Sequence, residues 1–123
     1  MIHLDTSFLI RAGVGEALES HRLRAWKERN EQIRISAVAW AEFACGPISH
    51  DALEATAELF GKPEPLTGYD ATLAAQLFHA TGRRRASLPD CMIAASAIHA
   101  GASLATSNRK DFERFTALGL SLA

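Results

Sequence analysis

The chain has 123 residues, 48% of them apolar and 22% charged, with a formal net charge of −1. That length suits one domain burying about two thirds of its unfolded surface, and the near-neutral charge excludes a global basic field for nucleic acid, though not a local patch. No stretch approaches the roughly 18 uninterrupted apolar residues of a membrane span, and Asp5 stands where a signal peptide needs its apolar core, so a cytoplasmic protein without a membrane partner is expected.

Met1 to Leu4 reads as a short apolar strand ending in the carboxylate of Asp5. Thr6 and Ser7 can cap a helix whose body begins Phe8-Leu9-Ile10. Gly13 and Gly15 interrupt, and Glu16 to Asn30 follows as an amphipathic helix with Leu18, Ala25 and Trp26 near one face. Ile33 to Ile35 is an alternating strand, Ser36 an N-cap, and Ala37 to Cys45 an apolar helix closed by Gly46-Pro47. Ser49 caps a helix running to about Phe60. Pro63 to Leu66 is an extended connection or edge strand, because proline is unwelcome in a central one. Tyr69 to Ala80 keeps helical spacing, and Arg83-Arg84-Arg85 follows on a solvated turn.

Pro89 belongs in the first turn of the next helix, where its missing N–H costs nothing. The body of that helix, Cys91 to Ala100, is apolar nearly all round, which predicts burial on more than one side. Ser103 to Thr106 is a strand, Asp111 to Phe115 a one-turn helix, and Leu118 to Leu122 a last edge strand. This alternation predicts an α/β chain: one domain over residues 1–123, built as three α/β/α layers around a parallel sheet of four to five short strands. Cys45 and Cys91 both lie in apolar helical runs, which predicts small buried thiols rather than a disulfide or a metal site.

Most of the fourteen acidic residues, Glu19 and Asp70 among them, sit with polar neighbours and read as a solvated face. Asp5, Glu42, Asp90 and Asp111 keep apolar company instead, and desolvated carboxylates are costly unless paired, hydrogen-bonded or bound to metal. Asp5, Asp90 and Asp111 each have an ordinary explanation as helix caps or first-turn acids. Glu42, in the middle of an apolar helix, has no cap to make, and its ordinary explanation is a side turned to solvent. Brought to one place, four carboxylates would repel each other and raise each other's pKa values. A divalent cation removes that repulsion, and all-oxygen ligands favour Mg²⁺ or Mn²⁺ over zinc. Such a centre suits metal-assisted phosphodiester hydrolysis.

Four segments carry a family resemblance: Leu4-Asp5-Thr6-Ser7; Ser36 to Gly46 with Glu42; Asp90 to Ala97; and Leu104 to Phe112 with Thr106, Asn108 and Asp111. In order and spacing they resemble the PIN domain, most closely the VapC-type toxin ribonucleases of prokaryotic toxin–antitoxin pairs. The resemblance implies that Asp5, Glu42, Asp90 and Asp111 hold Mg²⁺ or Mn²⁺ for endonucleolytic RNA cleavage. Asp5 and Asp90 would be direct ligands, with Glu42 and Asp111 acting largely through water. Thr6, Thr106 and Asn108 match polar residues that orient the carboxylates and a water. It further implies cleavage to a 5′-phosphate and a 3′-hydroxyl, a homodimer, and silencing by a small antitoxin protein.

Contacts to RNA phosphates fall to Arg11, Arg83, Arg84, Arg85, Arg109 and Lys110, which flank the acids; a solvated charge run explains any one of them equally well. Trp26 and Trp40 read as packing residues rather than base-stacking platforms, and His3 as a packing residue too. Two other readings compete. A phospho-acceptor signalling domain would want adjacent acids after the first strand, and Asp5 stands alone. A non-catalytic binding module could keep the same fold.

Overall fold

The computed structural model describes residues 1–84 and 87–123. Ile2–Leu4 (β1) is buried at every position, as a strand covered on both faces must be. It pairs in parallel with Ile33–Ile35 (β2) on one side and Ser103–Ala105 (β3) on the other, and β3 pairs with Ser121–Leu122 (β4). The order is β2-β1-β3-β4, four parallel strands among the described residues. Leu4 lies opposite both Ile35 and Ala105, so Asp5, Ser36 and Thr106 leave the sheet at one level. The chain places β2 on one side of β1 and β3 on the other. That reversal opens a crevice beyond the carboxyl ends of β1 and β3, where open α/β sheets bind ligands.

Helices cover the sheet: α1 (Thr6–Ala12), α2 (Leu18–Glu28), α3 (Ala37–Cys45), α4 (His50–Phe60), α5 (Gly68–Ala80), α6 (Leu88–His99) and the short α7 (Arg109–Phe112). Together they give the expected α/β/α layering. α6 buries Cys91, Ile93, Ala94, Ala95, Ser96 and Ala97, the all-round burial that its composition predicts. The core continues through Phe8, stacked on Trp26 with ring centres 5.4 Å apart, to Phe112 and Phe115. Gly101, at a φ of 65°, turns the chain from α6 into β3 in the left-handed region that glycine enters freely. No helix among the described residues is long and apolar enough to cross a membrane.

Several expectations need correction. α2 is shorter than Glu16 to Asn30, since Asn30 takes a φ of 58°, a left-handed residue that ends a helix. Pro63 to Leu66 contributes only one bridge, Glu64 to Ser36, because its prolines cannot donate to a ladder. The expected Asp111–Phe115 helix is α7 followed by a 3-10 segment, Glu113–Leu118, and the last strand shrinks to two residues. Cys45, at the end of α3, is exposed, and only Cys91 is buried. Asp70 is not solvated. Burial pushes its carboxyl up, but bonds from Thr67 and His99 outweigh that and hold it below its ordinary value. Thr67 and Asp70 form a reciprocal capping box at the start of α5, and Asp70 Oδ1 lies 2.6 Å from His99 Nδ1.

His3, in the central strand, is 2% exposed, and neither ring nitrogen has a hydrogen-bond partner among the described residues. The ring lines a polar cavity of about 220 Å³ shared with Glu64, Thr67, Asp70, Ser96 and His99. Burial lowers its pKa below the ordinary 6.5, against the opposing pull of Glu64 and Asp70. A folded-state value below the unfolded one means that its contribution to stability is full above about pH 6.5 and is lost as pH falls through the folded value. The wild type is therefore expected to lose melting temperature relative to His3→Phe between about pH 7 and pH 5. A difference that stays constant over that range would show that His3 takes up its proton as readily in the fold as in the unfolded chain, so that burial does not lower its pKa.

Candidate metal centre

Asp5 ends β1 and sits at the N-cap position of α1, with extended backbone angles of −78° and 156°, yet its side chain caps nothing. Its carboxylate turns to the loop after β3 instead. Oδ2 accepts the hydroxyl of Ser7 at 2.6 Å and that of Thr106 at 2.8 Å. The same two hydroxyl oxygens accept backbone N–H groups, Ser7 from Ser107 and Thr106 from Asn108, each at 3.0 Å. Each hydroxyl thus spends its proton on Asp5 and its lone pairs on the loop, tying the ends of β1 and β3 together. Oδ1 accepts no hydrogen bond among the described residues.

Glu42 lies on the solvent side of α3, a helix started by Ser36, whose hydroxyl accepts the N–H of Ala39 at 3.2 Å. Thr6 Oγ1, in the first turn of α1, has one proton to share between Glu42 Oε1 at 3.2 Å and the Ala39 carbonyl at 3.1 Å. Partial burial raises the Glu42 carboxyl above its ordinary value; the Thr6 bond pulls it back and the Asp5 charge adds to the rise.

Asp90 occupies the first turn of α6 behind Pro89. Its carboxyl is pushed up to about 6, first by burial, then by the charge of Asp5, with Asp111 and Glu42 adding to the rise and Arg114 opposing it. All three other expected acids therefore act on Asp90. Asp111 itself is exposed on α7. The convergence has Coulombic rather than coordinating range: no three acidic, histidine or cysteine side chains among the described residues are placed to hold one ion. The donor set nonetheless fits a hard dication. It is all oxygen, mutually repulsive as it stands, and includes one carboxylate whose Oδ1 carries no hydrogen bond.

The other expected positions sort by contact. Thr6 and Thr106 hold carboxylates as described, whereas Asn108 contributes its backbone N–H and its side chain makes no cap bond. Arg11 is occupied by Glu19, Nε to Oε1 at 3.0 Å. Arg109 donates to the Ala123 carbonyl. Arg83, Arg84 and Lys110 are exposed; Arg85 lies outside the described residues.

Three contributors were not among the expected site residues. Ser7 reads as a capping residue and proves to be a carboxylate holder. Glu19, expected to be solvated, is half-buried: it accepts Ser107 Oγ at 2.8 Å as well as Arg11, and the Ser107 bond leads in holding its carboxyl below the ordinary value. Arg114, in the 3-10 segment, places Nη2 3.6 Å from Asp90 Oδ2. No sequence signal joins Glu19 to Ser107 or Arg114 to Asp90, since each pair meets only through the tertiary fold.

No curated protein sequence matches the chain. Among solved structures, the fold is similar to a toxin–antitoxin complex from Klebsiella pneumoniae, at 25% identity over 91% of this chain and 90% of that one, with a TM-score of 0.73. It is also similar to VapBC-1 from nontypeable Haemophilus influenzae, at 25% identity over 100% and 97% of the two chains, TM-score 0.67. A third is VapC20 of Mycobacterium tuberculosis, described as a sarcin–ricin loop cleaving toxin, at 19% identity over 100% and 98%, TM-score 0.66. The family model of the PIN domain matches residues 2–118. With nearly its whole length matched, on a four-stranded parallel sheet, the chain belongs to the PIN-domain family.

Proposed function

We propose that this chain is a Mg²⁺- or Mn²⁺-dependent endoribonuclease, one unit over residues 1–123, acting as the toxin of a toxin–antitoxin pair. The observation that carries the reading is the state of Asp90, whose carboxyl is pushed up to about 6 by burial and by Asp5, Asp111 and Glu42. Acids that raise one another's pKa values in this way are stabilised by a cation that joins them.

In this reading Asp5 and Asp90 hold the cation directly and Glu42 and Asp111 act through water. Bound there, the cation would polarise a phosphate oxygen, lower the pKa of a water and steady the leaving oxygen, so that hydrolysis leaves a 5′-phosphate and a 3′-hydroxyl. The chain's own residues supply the positioning. Ser7 and Thr106 fix Asp5 through Oδ2 and leave Oδ1 without a hydrogen bond among the described residues, and Thr6 fixes Glu42 from one side. Arg83, Arg84 and Lys110, which are exposed, would meet RNA phosphates, whereas Arg11 is spent on Glu19. An RNA substrate is supported by the description of VapC20, and such a substrate accords with a cytoplasmic protein.

The antitoxin partner is supported by the Klebsiella and Haemophilus relatives and by an open apolar groove of about 470 Å³. Leu9, Val14, Leu23, Phe43, Leu59 and Phe60 line it, and Val14 and Leu59 are more than half exposed. Such a trough accepts the apolar face of an amphipathic helix, and an antitoxin segment of that kind is the occupant we assign. A homodimer belongs to the same reading.

Purified protein is expected to cut cellular RNA in Mn²⁺, to stop on chelation, and to be inactive as Asp5→Asn. RNA left intact by the wild type across Mg²⁺ and Mn²⁺ would favour a non-catalytic module instead. Full activity in Asp5→Asn would remove the metal centre from the account.

A further inference from the structure

Arg114 presents a charge that packing alone does not explain. Its guanidinium carbon lies 4.6 Å from the centre of the Phe115 ring, and Nη2 is 3.6 Å from Asp90 Oδ2. Nε and Nη2 are shut off from solvent, and neither donates a hydrogen bond to any described residue. These two nitrogens share the edge of the planar group that grips a carboxylate or phosphate through paired bonds. Burying such donors unpaired is costly, and an aromatic face recovers only part of that cost. What favours a positive charge at this point is the field of the acids. Among the described residues Arg114 is the cation that forms an ion pair with any of the four.

We propose that Arg114 is the built-in counter-charge of the acidic centre, a positioning residue that sets how tightly the centre holds a divalent cation and how strongly it repels a phosphodiester. The inference rests on the metal-dependent ribonuclease reading. Four carboxylates and one dication leave two negative charges facing an anionic substrate; a guanidinium at ion-pair distance reduces that to one. The same positive charge repels the dication. Removing it therefore moves two affinities in opposite directions, a signature that loss of packing does not produce.

Two binding measurements read this directly. The first is calorimetric titration of RNA-free protein with Mn²⁺ at about pH 8.5, where the carboxylates are ionised in every variant. The second is fluorescence anisotropy of a random-sequence single-stranded RNA with Ca²⁺ in place of Mn²⁺. Arg114→Gln is expected to bind Mn²⁺ about three- to tenfold more tightly and RNA more weakly by a similar factor. Arg114→Met, which keeps an apolar stem on Phe115, is a second neutral variant should Gln fail to fold, and the same result is expected of it. Arg114→Lys keeps the charge without the fork and is expected within about twofold of the wild type on both measures. If the neutral variants weaken both affinities, Arg114 is only a brace for Asp90 and the assignment is overturned. Neutral variants that change neither affinity, or a Lys variant that behaves like them, overturn it equally. A wild type that binds no Mn²⁺ sinks the metal reading itself, and the assignment with it.

Discussion

Asp90→Asn is expected to melt several degrees above the wild type when no divalent cation is present, and to cut no RNA. The sign follows from the direction of the shift. The Asp90 carboxyl rises from an ordinary 3.8 to about 6 in the fold, so the folded protein favours the neutral form. Stability from that preference is present below about pH 3.8 and is lost as pH rises through about 6. At neutral pH the wild type carries the full penalty of an ionised, crowded carboxylate. Asparagine resembles the neutral acid and escapes it.

A shift of about two units is worth at most about 3 kcal/mol. Solvent reaches the side chain, which is 28% exposed, and screening lowers the gain to roughly 1–2 kcal/mol. For a chain of this size that is roughly 3–8 °C in Tm. Mn²⁺ should then reverse the ranking, because it stabilises only a protein that binds it. Thermal melts of both proteins in chelator and in Mn²⁺, at neutral pH and near pH 5, check every part of this. Equal melting temperatures in chelator at neutral pH would show that Asp90 is not under charge strain.

Replacing Ser7 and Thr106 together by alanine is expected to lower cleavage by about 100-fold or more, since loss of one partner that orients a ligand costs roughly 10–100-fold. Both hydroxyls end on Oδ2 of Asp5, which is 5% exposed. Without them a buried carboxylate oxygen loses its donors, a cost on the order of 1–3 kcal/mol. The backbone N–H groups of Ser107 and Asn108 lose their acceptors at the same time. The loop then drifts from β1, and Asp111, which follows it, drifts with it. Thr106→Ser keeps the hydroxyl and should stay within a few-fold of the wild type. A double variant that cleaves at the wild-type rate would mean that the peptide backbone alone holds Asp5 in place.

How far the sequence revealed this arrangement depended on whether the signal was local. β1, β2 and the layered alternation were legible because an apolar strand or an apolar helix announces itself within a few residues, as in Ile33 to Ile35 and Cys91 to Ala97. The four acids stood out because carboxylates among apolar residues demand a reason. Asp70 was misread as solvated, although the Thr67-x-x-Asp70 spacing resembles a capping box and carried a local signal that its polar surroundings masked. Cys45 misled because a helix that is apolar in composition still has a last turn, and that turn reaches the surface. Glu19 was out of reach, since its partner Ser107 is 88 residues away and nothing in Leu18-Glu19-Ser20 distinguishes it from a solvated acid. Ser7 lay between the two cases, being visible as polar and next to Asp5 but silent about Thr106.

The central position of β1 has a consequence for synthesis. β1 is flanked by β2, made soon after it, and by β3, which begins only at Ser103. Until that third strand emerges, one edge of β1 stays bare, Thr106 is not there to grip Asp5, and Asp111 has not been added. On the proposed reading, a nascent polypeptide halted before this point could not cut RNA, because Asp5 is made well before Thr106 and Asp111, the residues that complete the centre.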